Sequence, residues 1–260
     1  MNRSPLPTQD VIPSLLPVSK SDFDWTREFD ETGQVGLQRA GASHCLFAPI
    51  HYEQRYAYPL IVWLHSGVSN EQELREVMPL VSVRNYVAVA PRGTDRVEGI
   101  RGAFTWNQSP SSIETAMDRV RQCVETAQER FRIHRERIFI AGYAAGGTMA
   151  IRLGLEYPDQ FAGAISLGGA MPRGSRPLKR IAEARKLPLL LSVSPSGSSD
   201  LDGYSLDQVM ADVRLLHSAG SSLSVRLYPE GDGLTTVMLS DVDNWIMERA
   251  CPQSIVSTAS

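Results

Sequence analysis

Seven short apolar runs, separated by segments with helical periodicity, constrain this chain more than any other feature of its sequence. The runs lie at 44–48, 59–65, 85–90, 137–141, 163–167, 187–193 and 222–228. They are rich in Val, Ile, Leu and aromatic residues, which suit extended backbone. The central ones are continuous rather than alternating, as expected for strands covered on both faces. Between them, Ile113, Met117, Val120, Val124, Ala127 and Phe131 fall on one stripe of a helix expected over 112–131, with Ser111 and Glu114 as a capping box. A second helix is expected from Leu206 to Leu216 through Val209, Met210 and Val213, stopping at Gly220. A third, over 235–249, turns Val242, Trp245 and Ile246 inward. Strands alternating with helices imply βαβ units with right-handed crossovers, and so an α/β fold with a mainly parallel central sheet and helices on both faces. The ligand crevice of such a sheet lies at the carboxyl ends of its strands, which singles out the loops after His65, Ala141, Val193 and Tyr228.

With 260 residues, 42% of them hydrophobic and 21% charged, the chain is expected to form one large domain over 31–250. Residues 1–30 carry several prolines and little periodicity and read as a loosely ordered arm; 251–260 read as a tail. A net charge of -3 with interspersed signs provides no basic face for nucleic acid. The first 20 residues lack an uninterrupted apolar stretch, and nowhere do about 18 apolar residues run together, so neither export nor membrane insertion is expected. Cys45, Cys123 and Cys251 are an odd number without metal-type spacing, which argues against a disulfide framework or zinc site and suits a reducing cytoplasm. No cofactor is expected. A small molecule or another protein is the expected partner.

The segment RIFIAGYAAGG, residues 137–147, reads as a strand, a Gly-rich knot and the start of a small-residue helix. Around it stand, in order, WLHSG at 63–67, VAVAPRG at 87–93, FAGAISLGG at 161–169 and YPEGDG at 228–233. This ordered set, over about 43–249, resembles the phospholipase/carboxylesterase and dienelactone-hydrolase-like branch of the α/β-hydrolases. That resemblance implies a Gly-x-Ser-x-Gly nucleophile elbow, a histidine after the last strand and an acid after the strand before it.

The elbow glycines are present as Gly142 and Gly146, but the middle residue is Ala144, which has no atom able to form an acyl-enzyme. The histidine position falls on Asp232, and no histidine follows His217, which is expected near a helix end in a solvated or dipole-favoured position. The acid position is Asp200 or Asp202, with Asp200 preferred; without a histidine to orient, either is as well explained as a loop or Asx-turn residue. The resemblance also implies an oxyanion hole made by the backbone N–H groups of Ser66 and Ala145, with His65 and Tyr143 beside the pocket, although His65 and Ser66 are also read as simply ending a strand. Trp106 and Phe104, just before the long helix, either line that pocket or pack against the start of the helix.

Two functional readings follow. One is a degenerate hydrolase that binds an acyl or ester-like ligand or a protein partner. The other is an active carboxylesterase using a displaced nucleophile, with Ser66, Ser69 or the serines of 192–199 as candidates. A lyase or cofactor-free oxygenase ranks below both, because relatives with such chemistry keep the histidine.

Overall fold

The computed structural model describes residues 43–193, 206–228 and 233–250. The expected arm and tail, and the acid and histidine positions Asp200, Asp202 and Asp232, lie outside the described residues.

Each expected strand is present. They are β1 (His44–Phe47), β2 (Tyr58–Leu64), β3 (Val87–Pro91), β6 (Ile133–Tyr143), β7 (Gly163–Leu167), β8 (Leu189–Val193) and β9 (Leu223–Leu227). A small antiparallel pair, β4 (Asp95–Arg96) and β5 (Phe104–Thr105), forms a separate ribbon that the sequence pattern did not signal. The main sheet has the order β1-β3-β2-β6-β7-β8-β9, antiparallel at β1 and parallel elsewhere. Every residue of β2, β3, β7 and β8 is buried, the physical meaning of their unbroken apolar runs. Along β2 the pleat divides them, with Leu60, Val62 and Leu64 in one core and Ile61 and Trp63 in the other.

The first core packs under α2 (Pro110–Arg130), α3 (Ala145–Glu156) and α4 (Ile181–Ala184), with Leu216 of α5 (Leu206–Ser218); the second lies under α1 (Glu73–Val81) and α6 (Thr236–Ala250). The helix α1 was not expected, and it contains Pro79. The proline is tolerated in the last turn, and Leu74, Val77, Met78 and Val81 give the buried stripe that would have signalled the helix. The cap of α2 is Ser109, not Ser111: the Ser109 side chain accepts from the Ser112 N–H at 3.3 Å and Pro110 supplies a first-turn residue with preset φ. In α5 the expected inward residue Met210 is 42% exposed, whereas Asp212 is buried. As expected, α5 gives way to Gly220 at φ 75, with His217 exposed in its last turn. Val242, Trp245 and Ile246 of α6 are buried.

No helix among the described residues is long and apolar enough to cross a membrane.

Candidate functional site

The carboxyl end of β6 turns into α3 through a single residue, Ala144, at φ 49 and ψ -117. This is a backbone region that side-chain-bearing residues rarely adopt and that stores roughly 1–3 kcal/mol of strain. The Ala144 N–H donates to Leu167 O at 2.9 Å, and its carbonyl accepts from the Thr148 N–H at 3.0 Å, so the neighbouring strand and the first helical turn both hold the conformation.

The flanking glycines are required by contact distance. A methyl at Gly142 would lie 2.5 Å from the Gly146 backbone and 2.7 Å from Leu64 O. A methyl at Gly146 would fall 2.0 Å from Leu64 O and 2.4 Å from His65 O. A methyl at Gly169, from the loop after β7, would meet Ala144 O and Thr148 N at 2.5 Å. Three backbone segments therefore converge on the turn closely enough to exclude a carbon atom.

The loop after β2 is the second wall. His65 has no exposed surface, and both ring nitrogens are engaged: Nε2 lies 2.8 Å from the Gly93 N–H, and Nδ1 lies 2.7 Å from Ser66 O. Accepting at Nε2 places the ring proton on Nδ1, and burial lowers the ring's pKa, so the neutral imidazole is the bound form. The Trp106 ring packs against His65 at 5.2 Å, and its indole N–H donates to His65 O at 2.9 Å. Trp106 is 5% exposed. Both rings are buried, the packed arrangement that was the alternative expectation for Trp106. They are the buried scaffold behind the loop, because their polar atoms are spent on its backbone. Tyr143 is half-buried at the end of β6, and Phe104 is half-buried with the Arg92 guanidinium 4.7 Å over its ring.

At the Ser66 end of the expected oxyanion hole, the backbone donor has a partner within the protein. The Ser66 N–H donates to both carboxylate oxygens of Glu73, at 3.2 and 3.1 Å, and the Ser66 hydroxyl donates to the same carboxylate at 2.7 Å. The indole N–H of Trp63 completes the set at 2.9 Å. A carboxylate occupies the donor that an oxyanion would need, and its charge opposes a second negative charge there. Ala145 keeps the expected place as the first helical residue after the turn, and a methyl at Gly67 would lie 3.4 Å from its Cβ. Glu73 was not singled out in the sequence, where no helix was expected over 73–81.

Beyond the turn, the loop after β7 passes Ala144 at Gly169 and continues toward α4. Gly174, Ser175 and Arg176 all have positive φ, at 65, 48 and 51. Arg152, on α3 and with no exposed surface, holds this loop: it donates to Arg173 O at 2.6 Å, Gly174 O at 3.1 Å and Gln108 Oε1 at 3.0 Å. The Arg173 side chain reaches Asp212 of α5 at 2.8 and 2.7 Å.

Comparison with known proteins follows this geometry. Residues 100–193 match the family described as Phospholipase/Carboxylesterase. NocK of Nocardia uniformis subsp. tsuyamanensis, named as an esterase, is 26% identical over 172 residues, 64% of this chain and 48% of that protein. A protein of Oryza sativa subsp. japonica named as a carboxylesterase is 31% identical over 113 residues, 43% of this chain and 41% of its own length. The chain thus spans about half or less of these two relatives. A SOBER1-like carboxylesterase of Arabidopsis thaliana is 26% identical, with 74% of this chain and 79% of that protein covered. Among solved structures, esterase PE8 superposes with a TM-score of 0.62 at 20% identity, covering 80% of this chain and 99% of that one. Arabidopsis thaliana SOBER1 superposes at 0.57 with 21% identity, covering 75% and 100%. The fold is that of the α/β-hydrolases.

Proposed function

We propose that this carboxylesterase-like α/β-hydrolase is a non-hydrolytic member of its fold that binds an acyl or ester-like small molecule. The observation that carries the reading is Ala144: a strained turn, enclosed by three glycines, presents a methyl group where acyl transfer needs a nucleophile. Removing a serine nucleophile alone lowers turnover about 10⁶-fold in a serine protease, so ordinary esterase turnover is not expected here. The engagement of the Ser66 N–H by Glu73 supports the same reading, since the donor is already bonded to an anion. What remains is a helix N-terminus beginning at Ala145 at the carboxyl end of the sheet, which suits a neutral carbonyl oxygen.

A second reading takes the Ser66 hydroxyl as a displaced nucleophile, because it lies 2.7 Å from Glu73 as a possible base. It is the weaker one. The Glu73 carboxylate is at the same time the acceptor for the Ser66 N–H and the Trp63 indole N–H, so the Ser66 hydroxyl is one member of a structural cluster that ties the loop to α1.

A fluorophosphonate probe and a series of p-nitrophenyl esters separate the two. The binder reading expects no covalent adduct by intact mass and no hydrolysis above buffer. A stoichiometric adduct mapped to Ser66 would establish the second reading in its place.

A further inference from the structure

We propose that the cleft at the amino ends of β7 and β8 binds a small zwitterion, an α-amino acid with an apolar side chain. The cleft has a volume of about 420 Å³ and lies between residues 158–162, which lead into β7, and residues 182–188, which lead into β8. That volume is typical of small-molecule sites. It sits at the far end of α3 from Ala144, about 18 Å along the axis of a twelve-residue helix. The proposal is therefore independent of the binder reading.

Both walls are fixed without a ligand. Where the strands begin, the Ala164 N–H donates to Pro188 O at 3.0 Å. Leu187 is buried against α3, where a methyl at Gly154 would lie 3.1 Å from its Cδ2. Nearer to solvent, Arg180 ties the second wall to the first, donating to Glu156 O at 3.2 Å and to the Asp159 carboxylate at 3.0 Å. Pro158, Phe161 and Leu187 are buried and give the cleft an apolar base. A cleft held in this way binds without a large ordering cost.

The charges of the lining select the ligand. Asp159, Glu183 and Lys186 face the cleft, and Asp159 is already paired with Arg180. Among the described residues, neither Glu183 nor Lys186 takes part in an ion pair, with each other or with a third group. The Lys186 N–H donates to Glu183 O at 3.2 Å, so the two side chains leave one turn of backbone as neighbours. A lone anion would meet Lys186 against the field of Glu183, and a lone cation would meet Glu183 against that of Lys186. A molecule with an ammonium and a carboxylate on one carbon satisfies both, while its side chain covers Phe161 and Leu187.

The test is calorimetric titration of the full chain with L-phenylalanine, with phenylpropionate, which lacks the ammonium, and with phenethylamine, which lacks the carboxylate. Phenylalanine should bind at least about tenfold more tightly than either. Glu183→Lys should weaken phenylalanine by about tenfold and tighten phenylpropionate. Adding Lys186→Glu restores one charge of each sign in exchanged places, and phenylalanine binding should return to within about threefold, now with the D enantiomer preferred, because exchanging two groups on one carbon inverts its configuration. Ala182→Trp, at an exposed position of the wall, should abolish binding. Wild-type affinities for the three compounds decide the matter even where a variant fails to fold. Equal affinity for phenylalanine and either analogue, unchanged binding in a folded Ala182→Trp, or no phenylalanine binding at about 10 mM overturns the proposal.

Discussion

Glu73 holds Ser66 by both of its donors, with the hydroxyl at 2.7 Å and the backbone N–H at 3.1 Å from the same carboxylate oxygen. In a working esterase the loop after this strand supplies a donor to the developing oxyanion. Here that donor already has an anionic partner.

Restoring a nucleophile and base should therefore not be enough. Ala144→Ser with Asp232→His is expected to remain without measurable esterase turnover, because the Ser66 N–H stays on Glu73. Adding Glu73→Ala releases that donor, and the loss of one such donor is worth about 10²–10³ in turnover. Assays of the double and triple variants on short- and long-chain p-nitrophenyl esters check this. Activity in the double variant equal to that in the triple would show that Glu73 does not matter.

The turn itself makes a prediction about stability. At φ 49 and ψ -117, Ala144 sits where glycine is relaxed and alanine is strained. Ala144→Gly should raise the unfolding free energy by about 1 kcal/mol, the strain relieved less the entropy glycine loses. Gly146→Ala should do the reverse by about 3 kcal/mol or more, since the new methyl would meet Leu64 O at 2.0 Å. Urea unfolding of the three proteins gives both values.

Protonation of His65 should destabilise the fold. Burial lowers its folded pKa below the ordinary value near 6.5, and its Nε2 accepts from the Gly93 N–H only when neutral. The stabilisation is then fully present above the unfolded pKa and is lost as pH falls toward the folded one. Melting temperature should decline on acidification below about pH 6.5. His65→Gln, otherwise less stable, should show a shallower decline over that window.

Arg152 ties three segments together without a carboxylate within salt-bridge distance among the described residues. Arg152→Met leaves the carbonyls of Arg173 and Gly174 and the Gln108 oxygen without that donor, and is expected to destabilise by about 3 kcal/mol. Limited proteolysis should then cut within 170–178 first, where the released carbonyls lie.

Burial raises the Cys45 thiol pKa and pushes that of Cys123 up to about 12. Neither should react with iodoacetamide at pH 8 in the folded protein, and both should react in urea, as peptide mass mapping would reveal. Labelling of Cys123 under native conditions would contradict its burial.

Much of this protein was legible as pattern. Continuous apolar runs such as PLIVWL and VAVA follow from burial on both faces of a strand, and Gly142 and Gly146 announce a turn whose neighbours approach too closely for a side chain. The loss of a nucleophile at Ala144 needs only residue identity. These features are local, because the period of a strand or the spacing of two glycines four positions apart is written into consecutive residues. What the tertiary structure decided is where distant polar groups meet. Glu73 lies in a helix that the sequence reading did not anticipate, and it meets Ser66, seven residues earlier, where the loop after β2 leads into α1. Asp212 sits between apolar-stripe positions of α5 and reads as surface, yet it is buried by a loop 39 residues earlier. His65 and Trp106 read as site residues, and the fold spends both on backbone hydrogen bonds. The physical reason is the same in each case: apolar burial repeats along the chain with a fixed period, whereas a hydrogen bond between remote segments depends on the exact approach of two backbones and leaves no periodic trace in the sequence.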